Sequence, residues 1–67
     1  MEKDLTFSAA LVRLIDGDEI RRAGESEHLA LIEGTIYFVE PNGEKVEWRP
    51  TQLALLADNW EVSKERE

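Results

Sequence analysis

The stretch from Leu29 to Glu40 constrains this chain more than any other. In an extended strand Leu29 and Leu31 point one way while Ala30 and Ile32 point the other. After Gly34 the pattern returns, with Ile36 and Phe38 opposing Tyr37 and Val39. A sheet that is apolar on both faces needs a cover on each. Only 67 residues are present to supply both covers. They make one domain, 1–67, with a core of about 5–63 between acidic tails, near the lower size limit for a self-supporting core. The sequence has no cysteine, so neither a disulfide nor a thiolate metal site can staple it.

The remaining elements follow from local signals. Thr6 suits an N-cap, and Phe7, Ala10, Leu11, Leu14 and Ile15 recur at helical spacing behind it, predicting a helix from Phe7 to Asp16. Asp16-Gly17 ends it, with Gly17 free to turn left-handed. Strands are expected over Glu19–Ala23, Leu29–Glu33, Ile36–Glu40 and Lys45–Trp48, with Trp60–Ser63 closing the chain. Pro41-Asn42-Gly43-Glu44 is the strongest turn signal, and Asn42-Gly43 suits the positive φ angles of a type I′ hairpin. Pro50 stops the last hairpin strand, and Thr51 caps a short helix running to about Ala57. The expected class is α+β: a small antiparallel sheet with an N-terminal helix and a short C-terminal helix. Two short helices cover one face. Either a second subunit or a ligand occupies the other; the size of the chain favours the subunit, making the protein oligomeric.

Fifteen acidic residues against eight basic ones give a net charge of −7. That balance argues against binding polymeric nucleic acid, which depends on phosphate neutralisation by Lys and Arg. It still allows one small anionic ligand, since a pocket responds to local charge. The tail carboxylates Glu2, Asp4, Glu61, Glu65 and Glu67 read as a solvated surface. No apolar run approaches the roughly 20 residues of a membrane span, and no cationic, apolar leader opens the chain. A soluble, cytoplasmic protein without membrane contact is expected.

Catalytic chemistry finds little support. His28 is the single histidine, placed beside the acidic loop Gly24-Glu25-Ser26-Glu27 and read as exposed. Asp16 and Asp18 flank Gly17 as at the start of a calcium loop, but the rest of that 12-residue pattern is missing, and a helix-ending turn explains them better. No enzyme, metal or cofactor is expected. Polar contacts are a different matter. Arg21 and Arg22 are adjacent on a strand and so address opposite faces; either can grip a phosphate bidentately or pair with a carboxylate. Trp48 and Trp60 bracket the second helix, where aromatic rings either stack on a base or fill the core. Trp60 reads as core, and Trp48 suits both roles. Thr51 is a cap first and a ligand contact second. Gln52, in the first turn of a helix whose amides can attract an anion, suits a base edge or ribose.

Taken in order, these segments resemble the Thoeris anti-defence sponge family of the second type, small phage domains that capture immune signalling nucleotides. That family opens with a Thr-Phe-x-x-Ala-Leu helix, matched by Thr6-Phe7 and Ala10-Leu11. Its Arg-Arg-x-Gly strand end is matched by Arg21, Arg22 and Gly24. Its closing Trp-x-x-Ser-Gln-x-Asp-Leu-Leu-Ala-x-Asp-Trp segment is matched at Trp48, Gln52, Leu55-Leu56-Ala57 and Trp60. Asn42-Gly43 stands where the family places an Asp-Gly turn. Three departures from the pattern matter. Glu25 replaces a tryptophan ahead of a shortened loop, Thr51 with Ala54 replaces a Ser–Asp capping pair, and Thr35 replaces an aromatic. A carboxylate gained and an aromatic lost beside a phosphate site would weaken nucleotide binding or change its preference.

The resemblance implies a homotetramer that sequesters a cyclic ADP-ribose isomer or a cyclic dinucleotide between subunits without degrading it. Arg21, Arg22, Trp48, Thr51 and Gln52 are the ligand contacts it implies. Two other readings fit the sequence. One is an acidic anti-defence inhibitor acting by direct protein–protein binding; the other is a ligand-free structural oligomer.

Overall fold

Thr6 begins the first helix by the contact its position predicts. In the computed structural model, which describes residues 2–66, its hydroxyl accepts the Ala9 N–H at 3.3 Å and opens α1, Phe7–Ile15. Asp16 is the C-cap. The Gly17 N–H bonds the Leu14 carbonyl at 3.1 Å and the Asp18 N–H bonds that of Arg13 at 3.0 Å. This is a Schellman closure, and it requires the left-handed φ of +110° that Gly17 adopts. Asp-Gly-Asp is thus a helix-ending turn.

The five strands are β1 (Glu19–Arg22), β2 (His28–Ile32), β3 (Thr35–Val39), β4 (Lys45–Glu47) and β5 (Trp60–Lys64), with α2 (Gln52–Leu56) between the last two. They form one antiparallel sheet in the order β4-β3-β2-β1-β5. The α+β class stands. The type I′ assignment does not. Both central residues of such a turn need positive φ, and that condition is met at Glu33 (50°) and Gly34 (84°), between β2 and β3. In the β3–β4 connection Gly43 alone turns positive, at 91°. The Gly43 N–H reaches the Glu40 carbonyl at 2.8 Å, so Pro41 and Asn42 are the central residues of the turn. Pro41 imposes this: its ring fixes φ near −65°, suited to the first central position of a type I turn, and it has no N–H for a ladder. Glu40 supplies that N–H instead, bonding the Glu44 carbonyl at 2.8 Å.

Register separates the two faces. Ile20 pairs with Leu29 and Val62, Leu29 with Phe38, and Phe38 with Val46. Both helices pack on this side, where Ala10, Leu14, Ile20, Leu29, Ala54 and Trp60 form one buried cluster. Trp60 is only 3% exposed, and its indole N–H donates to the Ala54 carbonyl at 3.0 Å, so its core role is met. The opposite face carries Ala30, Ile32, Tyr37 and Val39 beside Arg21 and Glu61; neither helix packs there, yet Ala30 and Val39 are buried and Ile32 is the exposed member.

The tails are less free than their charge suggests. The Val62 N–H donates to the Glu2 carbonyl at 2.8 Å, and Leu5 and Trp60 exchange two backbone bonds, so the N-terminal segment shields the β5 edge. The Glu2 carboxylate takes an N–H of Arg13 at 2.6 Å, and Glu61 pairs with Arg21. Glu2 stays exposed while paired, as expected, whereas half-buried Glu61 departs from the solvated surface expected of it. Asp4 and Glu65 are exposed, and Glu67 lies outside the described residues. Buried Asp18 ties the C-terminal segment to α1, accepting the Arg66 backbone N–H at 2.6 Å and Arg13 Nε at 2.8 Å. Those bonds, that of Arg66 first, hold its carboxyl below the ordinary range against the opposing effect of burial. No helix among the described residues is long and apolar enough to cross a membrane.

Candidate functional site

The helix-covered face is not completely filled. Leu29, Phe38 and Val46, paired in a row across β2, β3 and β4, form the apolar floor of an open cleft of about 610 Å³. Trp48, Thr51, Ala54 and Trp60 line it from the segment that carries α2. Arg21 and Arg22 border it from the end of β1. Four of the five residues expected to touch a ligand therefore share one concavity, although they come from two separate stretches of chain.

Their commitments differ. Arg22 pairs in register with Trp60, placing it on the helix side, and its Nε donates to the neutral Asn59 Oδ1 at 3.2 Å. No carboxylate pairs with it among the described residues. Its charge and terminal N–H donors remain available. Arg21 lies opposite Glu61 on the other face, and its Nε donates to the Glu61 carboxylate at 2.8 Å. The adjacent pair thus divides into one salt-bridged arginine and one open arginine.

Thr51 behaves as a cap, its hydroxyl accepting the Ala54 N–H at 3.2 Å. A hydroxyl that accepts can still donate, so its proton can serve a ligand. Gln52 is exposed and lies outside the cleft lining. The anion-attracting helix terminus is also weaker than its sequence implies. With five residues, α2 aligns few peptide dipoles, and Thr51 already satisfies one of its free amides. Trp48 is half-buried, with its ring centroid 5.6 Å from that of Phe7, and Phe7 lies 5.4 Å from Trp60. It is therefore both a packing residue and a cleft wall. Its indole N–H has no partner among the described residues, whereas that of Trp60 is bonded.

Arg49 completes the cationic side and was not anticipated. Its only sequence signal is its place between Trp48 and Pro50. Glu25, Glu27, Glu40 and Glu47 also line the cleft. Only Glu25 drew notice in the sequence; Glu27 and Glu40 meet because the β2–β3 register brings His28 opposite Val39. His28 is half-buried, not exposed, with Nε2 3.0 Å from Glu19 Oε1, and it lies apart from the cleft. Comparison with protein-family models and with curated proteins yields no match.

Proposed function

We propose that this protein binds a cyclic nucleotide immune signal, a cyclic ADP-ribose isomer or a cyclic dinucleotide, and sequesters it without degrading it. In that role it is a phage anti-defence protein of the host cytoplasm. The observation that carries the reading is convergence. Arg22 at the end of β1, Trp48 after β4 and Thr51 at the cap of α2 lie in the segments on which the family resemblance rests, and they meet in one cleft. Its volume, about 610 Å³, suits a ligand of nucleotide size. Arg22 supplies an open guanidinium for phosphate, Trp48 an aromatic surface for a base, and Thr51 a hydroxyl donor.

The cleft is open on one side, as a site completed by another copy would be. The sheet face away from the helices, where Ile32 is 38% exposed and Tyr37 half-buried, supports the same assembly, with a second copy as its cover and a homotetramer as the complete form. The test is a titration calorimetry panel of cyclic ADP-ribose isomers and cyclic dinucleotides, followed by mass analysis of the ligand released on denaturation. Retention of at least one ligand, recovered with unchanged mass, is the expected result. A ligand recovered in cleaved form would replace sequestration with turnover.

A further inference from the structure

Four glutamates share the cleft with its arginines, and the arginines do not neutralise them. Glu25 and Glu27 come from the loop before β2, Glu40 follows β3, and Glu47 ends β4. Among the described residues none of the four forms an ion pair or a side-chain hydrogen bond. Arg22 and Arg49 are equally without carboxylate partners there, and Arg21 is engaged by Glu61 outside the lining. The cleft thus offers two open guanidinium groups and four open carboxylates around an apolar floor.

Ionised carboxylates only accept hydrogen bonds, so they favour donors and repel anions. A nucleotide carries both kinds of group: phosphate oxygens that accept, and ribose hydroxyls and exocyclic amines that donate. A ligand with one or two phosphate charges can place them on Arg22 and Arg49 and turn its donors to the glutamates. A triphosphate brings more negative charge than two guanidinium groups can offset, against four carboxylates. Glu27 and Glu40 are well placed for this discrimination. Each lies two residues beyond a floor residue, Leu29 or Phe38, and thus on the floor's side of the sheet.

We infer that the cleft glutamates are specificity determinants: they hold the hydroxyl donors of a nucleotide of low charge and reject nucleoside triphosphates. This inference rests on the nucleotide-binding reading above. It gives that reading a property that sequestration needs, since a site open to every cellular nucleotide would be occupied before its signal arrived.

The test is calorimetric titration of the full chain with cyclic ADP-ribose and with ATP, in the wild type and in Glu27→Gln/Glu40→Gln. Glutamine keeps the shape and removes the charge. The wild type is expected to bind cyclic ADP-ribose at least about tenfold more tightly than ATP. The double variant is expected to bind ATP about tenfold more tightly than the wild type does, with no gain for cyclic ADP-ribose, which closes the gap. Equal strengthening of both ligands, or a wild type that does not discriminate, would overturn the inference and leave nucleotide binding intact. A wild type that binds neither probe would overturn this inference, and the nucleotide reading would then rest on the cyclic dinucleotides and remaining isomers of the panel above. Circular dichroism verifies the fold, and the single variants Glu27→Gln and Glu40→Gln provide the same comparison should the pair fail to fold.

Discussion

Arg21 and Arg22 are neighbours in sequence with opposite commitments. Arg21 Nε donates to the Glu61 carboxylate at 2.8 Å, whereas Arg22 Nε donates to the neutral Asn59 amide oxygen at 3.2 Å. Strand alternation sends the two side chains to different faces, and only the arginine on the helix side keeps an uncompensated charge beside the cleft. Arg22→Ala is expected to lower ligand affinity by about tenfold to a hundredfold, the worth of a charged hydrogen bond, with the thermal midpoint nearly unchanged. Arg21→Ala is expected to cost at most about 1 kcal/mol of stability and to affect affinity less. Calorimetric titration paired with thermal melts separates the two. Equal losses of affinity would mean that the salt bridge does not divide their roles.

Trp48 needs a gentler substitution. Its ring lies 5.6 Å from Phe7, which itself packs against Trp60, so truncation removes core support together with any stacking surface. Trp48→Ala is therefore expected to reduce both stability and binding. Trp48→Phe keeps an aromatic against Phe7 and removes the indole, and should retain most of the stability while binding more weakly. Equilibrium denaturation alongside a ligand titration checks this. A Trp48→Phe variant with full affinity would make Trp48 a packing residue alone.

Trp60 gives a contrasting case. It is 3% exposed and its indole N–H satisfies the Ala54 carbonyl at 3.0 Å. Trp60→Phe leaves that carbonyl without its donor and is expected to cost about 1–3 kcal/mol, read from the shift in urea midpoint. A midpoint that did not move would show that the bond contributes nothing net.

Much of this architecture could be read from the sequence because the relevant signals are local. Thr6 and Thr51 cap the helices expected of them, Asp16-Gly17-Asp18 closes α1, and alternation divides Leu29 from Ala30 and Arg21 from Arg22. The turn types were not legible in the same way. Asn42-Gly43 carries the stronger hairpin preference, but Pro41 overrides it, and the less distinctive Glu33-Gly34 adopts the two positive φ angles. The site was half legible. Arg22, Trp48 and Thr51 carry their chemistry in their own segments. Glu27 and Glu40 are brought opposite each other only through strand register, and Gln52 lies outside the lining because helical periodicity turns Thr51 and Ala54 to the cleft and Gln52 away from that side. Partnering between remote residues, such as Arg21 with Glu61 or His28 with Glu19, has no local signal at all.

Asp18 makes stability dependent on acid. Its carboxyl is held below its ordinary value of 3.8 by the Arg66 backbone N–H and then by Arg13. A folded-state value below the unfolded one contributes stability that is fully present above the unfolded pKa and lost as pH falls through the folded one. The wild type is expected to lose thermal stability as pH drops below about 4. Asp18→Asn should melt lower at neutral pH and lose less of its remaining stability on acidification. Melting curves from neutral pH to pH 2 test this, and parallel pH profiles for the two proteins would exclude Asp18 as the source.

The central claim is that the cleft holds a nucleotide through Arg22. Native mass spectrometry of the wild type and of Arg22→Ala, each mixed with cyclic ADP-ribose isomers and cyclic dinucleotides, tests it most directly because subunit number and bound mass are read together. The account predicts an oligomer of the wild type carrying intact nucleotide, and an Arg22→Ala oligomer of the same size that is bare. A wild-type protein that stays bare across the whole panel, or an Arg22→Ala variant that retains nucleotide as fully as the wild type, would contradict it.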